Sequence, residues 1–305
     1  MNHEPRPTLR RLSLLEMLDK AMHLTRRSFK QIFPWTALPF AAAASVITLG
    51  QLLTMPYGGT SGDVASINEL HFTLMMVVTF AAVILYIIMF ALCSTVALVA
   101  TTKVVRGDEL SMAECWRWTL ERAAAGTVLL YWLGVGIGSF CCLVPGIAVW
   151  TVLGLTVPIM VAEGLRGTAA FRRSSDLIMS SPDEGFGRHP AVRLLGIGLV
   201  GYLLTYAVTF AVQLPLGAIQ IYLGFRSIAK MNPAGQDLPP AWFWLQSVQA
   251  ILGACATIAA LIYVMFAIAL LYLDVRSARS GGDLHAALDE LGAPAMFEPT
   301  LPRGP

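Results

Sequence analysis

Long apolar runs alternate with short polar segments along this chain, and that alternation predicts its architecture. Six runs stand out, at residues 32–55, 70–102, 123–140, 146–162, 194–214 and 242–273. Each is continuously hydrophobic. A helix needs about 20 residues to cross about 30 Å of hydrocarbon, whereas a barrel strand shows about ten residues of alternating polarity. The runs therefore predict membrane-spanning helices and tell against a barrel. Runs 123–140 and 146–162 are short, and Pro145-Gly146 between them is a turn signal. They predict a tight helical hairpin with Pro145 and Gly146 at its bend. Runs 70–102 and 242–273 exceed what a bilayer needs, which predicts tilt or projection beyond it.

The polar segments carry a pattern of their own. Leu12-Ser13-Leu14-Leu15-Glu16 opens a stretch with apolar residues at 14, 18, 21, 29 and 32. Ser13 and Glu16 have capping-box spacing, in which each side chain satisfies a backbone N–H of the other. Lys20, Arg26, Arg27 and Lys30 crowd the later part, as in an amphipathic helix lying on a membrane surface. Leu110-Ser111-Met112-Ala113-Glu114 repeats the signature, with Trp116, Trp118 and Leu120 following, and residues 168–178 form a third such segment. The predicted fold is an all-α integral membrane protein. Its six transmembrane helices form three hairpins, each preceded by a cytoplasmic amphipathic surface helix. Residues 1–31 are a cytoplasmic tail, 32–273 the six-span membrane domain and 274–305 a second cytoplasmic tail.

Composition agrees. Of 305 residues, 56% are hydrophobic and 13% charged, with a mean hydropathy of +0.66. Soluble domains carry about 25% charged residues, so lipid must cover much of this surface. Net charge, at +2, says little, but its placement says more. Counted loop by loop, nineteen Lys and Arg fall on one side of the predicted spans and two on the other. The positive-inside rule then puts both termini in the cytoplasm, with the protein in the inner (cytoplasmic) membrane. Trp242, Phe243 and Trp244 fall where an outer aromatic belt is expected. The polar, basic stretch 1–31 is longer than the start of a cleavable signal, so the first run reads as an uncleaved span.

Candidate chemistry is sparse. Cys93, Cys115, Cys141, Cys142 and Cys255 include no CxxC pair and read as small packing residues. The five histidines have no metal-ligand spacing. No Gly-x-Ser-x-Gly elbow or phosphate loop occurs. Gly134 and Gly138 have the GxxxG spacing of a helix–helix contact. Ionisable groups inside a membrane usually mark ion or proton pathways, and none falls in the middle of a run. Gln51, Gln213, Gln246 and Gln249 lie nearer the run ends. Pro145, Pro158 and Pro215 keep open a discontinuous helix that binds substrate through its backbone. The distinctive charges gather at the predicted inner face: Glu163, Arg172, Arg173, Asp176, Asp274 and Arg276. They read either as a polar cluster locking span four, the third surface helix and span six together, or as contacts to anionic lipid head groups shared with Arg26 and Arg27. No catalytic residue, cofactor, metal or nucleic-acid partner is predicted.

One ordered set of motifs resembles a known family. Val144-Pro145-Gly146-Ile147, Trp150 and Val157-Pro158-Ile159-Met160-Val161-Ala162-Glu163-Gly164 come first. Ala170-Phe171-Arg172-Arg173-Ser174-Ser175-Asp176-Leu177 follows, then Tyr272-Leu273-Asp274-Val275-Arg276 and Gly282-Asp283-Leu284. With the opening Leu12 to Asp19, this order is similar to the six-span membrane domain of glycerophosphoryl diester phosphodiesterase and related membrane proteins. The resemblance implies six spans with a Pro-Gly turn before the fourth. Phe171 replaces the usual Leu. Catalysis in those enzymes lies in a separate soluble barrel with His and acidic residues around a metal. Some 30 residues follow the last run here, too few for that barrel, so its activity is not expected.

Three functions remain in view. The first is a non-enzymatic protein that organises membrane lipids, a protein partner or a homo-oligomer, or serves as an accessory subunit. The second is a transporter or channel for a small or lipidic substrate. The third is a lipid-modifying enzyme at the inner face, for which Glu163, Asp176 and Asp274 are the available carboxylates.

Overall fold

A computed structural model describes residues 12–54, 69–141, 143–179, 189–229 and 240–280. Their regular structure is all helical. In chain order the helices are α1 (Leu14–Thr54), α2 (Glu69–Arg106), α3 (Met112–Leu120), α4 (Arg122–Cys141), α5 (Leu143–Leu153), α6 (Thr156–Glu163), α7 (Thr168–Met179), α8 (Pro190–Ala229) and α9 (Pro240–Ser280). Among the described residues, four stretches are long and apolar enough to cross a membrane: Met76–Arg106, Val144–Glu163, Pro190–Leu223 and Trp244–Ala278. Ala124–Gly138 is a shorter apolar helix. With this composition, the chain is a helical multi-pass membrane protein.

Helix α9 is the axis. Of its most apolar stretch 72% is buried inside the protein, against 11% for α8 and 17% for α2. Helices α1, α2 and α8 pack around it. Its core residues Ile258, Ile262, Phe266 and Tyr272 meet Met17, Ile32 and Phe40 of α1, Val96 and Val99 of α2, and Leu194 and Ile197 of α8 in one cluster. Aromatic rings continue this core sideways. Phe40 lies 4.8 Å from Tyr86 and 5.6 Å from Phe90, and Phe90 meets Trp132 of α4 edge-on at 5.4 Å. Trp132 Nε1 also donates to Thr95 Oγ1 at 3.4 Å, tying the α4–α5 pair to α2.

The local start and stop signals act as their chemistry requires. The Ser13 N–H donates to Glu16 Oε2 at 2.7 Å and the Glu16 N–H to Ser13 Oγ at 3.2 Å, a closed capping box at the head of α1. Ser111 caps α3 by accepting from the Glu114 N–H. Gly107 and Gly164 follow α2 and α6 at φ of 78° and 68°, the left-handed region where a side chain is strained.

The structure departs from the sequence expectation in three places. The first amphipathic segment is not a separate surface helix: it runs unbroken into the first apolar run as α1. Pro34 and Pro39 lie inside α1 without ending it. Pro39 has no N–H for the Trp35 carbonyl, and the indole of Trp116 donates to that oxygen instead at 3.2 Å. Pro145 and Gly146 are not a turn: they occupy the first turn of α5, where proline's missing N–H costs nothing. The fourth run also breaks at Gly154-Leu155, into α5 and α6. There the Ser174 hydroxyl donates to the Val152 carbonyl at 2.8 Å, and Pro158 sits in the first turn of α6. The second and third surface segments are α3 and α7. Residues 1–11 and 281–305, with the Gly282-Asp283-Leu284 motif, lie outside the described residues, as do Cys142 and the segments 55–68, 180–188 and 230–239.

Glycine sets how closely α4 and α5 approach. A Cβ on Gly138 would lie 3.0 Å from the Gly146 backbone, while one on Gly136 would meet nothing within 4 Å. Gly138→Val should therefore destabilise the protein by about 1–3 kcal/mol through overpacking against backbone that cannot yield. Gly136→Ala should be neutral, or stabilising by up to about 1 kcal/mol through helix propensity. Thermal unfolding in detergent, followed by helical circular dichroism, measures both.

Candidate functional site at the basic end

The polar side chains at the basic end form two networks on opposite faces of α9. Residues two apart on a helix point about 200° away from each other, so Tyr272 and Asp274 reach different neighbours.

The first network faces α6 and α7. Glu163 is the last residue of α6, and the left-handed turn at Gly164 sends the chain away from the bundle. The Gly167 N–H then donates to Thr127 Oγ1 at 3.0 Å, and α7 begins. One oxygen of Glu163 accepts from Arg173 Nε at 3.2 Å; the other accepts from the Tyr272 hydroxyl at 3.0 Å. Arg276, one turn further along α9, donates to the Tyr272 oxygen at 3.4 Å. Tyr272 is fully buried, and Glu163 is largely so. On the other side of α6, Arg106 Nη1 donates to the Val161 carbonyl at 3.1 Å, satisfying a group in the last turn that the helix itself leaves open.

The second network faces α1 and α8. Arg193, in the first turn of α8, donates through Nη1 to Asp274 Oδ2 at 2.6 Å and through Nη2 to the Leu12 carbonyl at 2.8 Å. The Leu12 N–H returns a hydrogen bond to Asp274 Oδ1 at 3.1 Å. Both backbone polar groups of one residue, Leu12, are thus held by the two ends of a single ion pair. The two side chains are 4% and 7% exposed, so this is a buried salt bridge, and Arg193 Nε has no hydrogen-bond partner. Lys20 lies close by. Burial pulls its ammonium below the usual lysine range, while the carboxylates of Glu16 and Asp274 oppose that shift.

Of the residues singled out in the sequence, Glu163, Arg173 and Arg276 belong to the first network and Asp274 to the second. Arg172 and Asp176 are exposed on α7. Pro145 and Gly146 lie elsewhere, in α5. Sequence reasoning missed Arg193, Leu12 and the role of Tyr272. In the sequence Arg193 reads only as one of the nineteen basic residues on one side of the spans. A cation at a helix N-terminus opposes the helix dipole, and that misfit was the available signal of a tertiary partner.

Chemically the arrangement joins helices. Both carboxylates at its centre accept from arginines on other helices. No group of three His, Cys, Asp or Glu among the described residues could hold a metal ion. The Cys115 thiol is pushed up by burial, opposed by Lys103 and reinforced by Glu114, which keeps it from acting as a thiolate. No protein family, curated protein or solved structure shows significant similarity to the chain.

Removing one half of a buried ion pair strands the other charge, at a cost of about 3–5 kcal/mol. Asp274→Ala should lose about that much stability. Arg193→Met combined with Asp274→Ala should recover a large part of it, because no buried charge remains. A double-mutant cycle on thermal unfolding in detergent gives the answer; additive losses would show the pair to be uncoupled.

Proposed function

We propose that this is a non-enzymatic protein of the inner membrane that organises anionic lipid, or a partner protein, at the cytoplasmic face. The basic end and both termini face the cytoplasm, and the six apolar runs, α9 among them, form three hairpins. Kinship with the membrane domain of glycerophosphoryl diester phosphodiesterase-like proteins, without their catalytic barrel, belongs to the same proposal and rests on the motifs from Val144 to Arg276.

One observation carries the role. At the basic end the central carboxylates are consumed in cross-links between helices, while cations remain outside them. Glu163 and Asp274 each accept from an arginine and from a second donor. Arg26, Arg27, Lys30 and Arg172 are exposed. Near an anionic membrane each such cation is worth about 1 kcal/mol of attraction. A lipid-modifying enzyme would instead need its carboxylates to converge on a substrate, and Glu163 and Asp274 look away from each other across α9.

A transport role has one observation in its favour. The α5–α6 break is the kind of discontinuity around which transporters build binding sites, and Thr156 Oγ1 is buried beside it with no partner. Two measurements on the full chain separate the roles. Lipids carried through extraction into polymer nanodiscs should be enriched in anionic phospholipid over the bulk membrane. Proteoliposomes holding the chain should show no solute flux above empty ones. Bulk-like lipid together with saturable flux would overturn the organising role in favour of transport.

A further inference from the structure

Resting on the lipid-organising role, we infer that the exposed face of α1 from Arg26 to Leu38 is the seat of an anionic phospholipid, with α3 as its side wall. Arg26, Arg27, Lys30, Pro34 and Leu38 are all exposed. At 3.6 residues per turn they fall within about 120° of the helix circumference and along about 18 Å of its axis. The stripe is graded. Three cations come first; the apolar Pro34 and Leu38, the latter 67% exposed, come one to two turns later. A phospholipid has the same order, phosphate first and acyl chain after, over a similar length.

Three further features favour this stripe over the arginines of α7. Among the described residues, no ion pair engages Arg26, Arg27 or Lys30, whereas Arg173 is held by Glu163. Pro34 has no N–H to offer the Lys30 carbonyl, so an acceptor without its usual helical donor lies among the cations, suited to a hydroxyl of a polyol head group. Pro39 frees the Trp35 carbonyl in the same way, and there Trp116 Nε1 fills the gap. That contact brings α3 against α1 at the level where the stripe changes from basic to apolar. Leu120, one turn beyond Trp116 on α3, is 57% exposed and extends the apolar wall. Aromatic side chains with a polar tip favour this depth of a bilayer.

The test uses the full chain in nanodiscs of phosphatidylcholine, alone or doped with phosphatidylglycerol, with native mass spectrometry counting the lipids that stay bound on release. The wild-type chain should retain phosphatidylglycerol preferentially. Arg26→Gln, Arg27→Gln and Lys30→Gln should lower that retention by about fivefold for each cation removed. The paired Arg26→Lys, Arg27→Lys variant should keep it. Melting temperatures alongside distinguish lost lipid from lost fold, and the remaining cations of residues 1–31 still hold that segment on its side. Wild-type preference that survives the triple substitution would overturn this seat while leaving the lipid role intact. Absence of any preference in the wild type would overturn the lipid role itself. Displacement of phosphatidylglycerol by inorganic phosphate alone would overturn the lipid as the occupant and point to a free anion.

Discussion

Much of this fold hangs on one ion pair. Arg193 and Asp274 are 2.6 Å apart and almost wholly buried, and between them they hold both backbone polar groups of Leu12. The three partners come from the start of α1, the start of α8 and the end of α9. Such a pair contributes little net stability by itself, because desolvation cancels most of the attraction. Its strength lies in geometry. A guanidinium fork and a carboxylate accept one arrangement of partners, so the bond fixes the register of three long helices whose apolar faces could otherwise slide. The Glu163 network does the same on the other face of α9. It sets the short α6 and α7 against a helix that would pack equally well on many apolar surfaces.

Many hydroxyls of the apolar helices instead turn back along their own helices. Thr36 donates to the Ile32 carbonyl, Ser94 to Phe90, Thr95 to Ala91, Thr102 to Leu98, Thr151 to Ile147 and Thr257 to Gly253. In hydrocarbon a hydroxyl without a partner is costly, and the carbonyl one turn back is always within reach. This is why so many Ser and Thr occur in buried apolar helices without forming a site. Thr209 departs from the pattern, and so does Thr156. The carbonyl one turn before it belongs to Val152, and Ser174 donates to that oxygen, so the break that frees a backbone acceptor also leaves a buried hydroxyl unpartnered.

What the sequence made legible follows the physics of each signal. Hydropathy found the apolar helices because lipid contact acts on every residue of a run. Capping boxes found the starts of α1 and α3 because Ser13, Glu16, Ser111 and Glu114 act within a single turn. Proline depends on its surroundings. Pro34 and Pro39 sit within a continuous α1, and at Pro39 the distant Trp116 supplies the lost hydrogen bond. Pro145 reads as a turn yet stands inside the start of α5, where no hydrogen bond is lost. The charges at the basic end were legible as a group but not as pairs. Which face of α9 each one uses depends on two residues of helical phase, and Arg193 could be assigned only once α8 had a place.

The same contacts set the order in which the molecule can close. Of the described helices α1 comes first in the chain, yet its Met17, Ile32 and Phe40 are buried in a core centred on α9, which comes last. Leu12 likewise waits for partners 181 and 262 residues away. Contacts of such separation are slow to form, because the intervening chain must be ordered before they repay the cost. Until α9 arrives, the buried face of α1 is lined with Thr25, Ser28 and Thr36, whose hydroxyls can turn back to their own carbonyls, as Thr25 and Thr36 do in the finished fold. A helix so built tolerates lipid during synthesis and α9 afterwards. The charged residues of α1 that remain exposed after closure are then free of any part in the core, which is the condition for a surface that acts on the membrane around it.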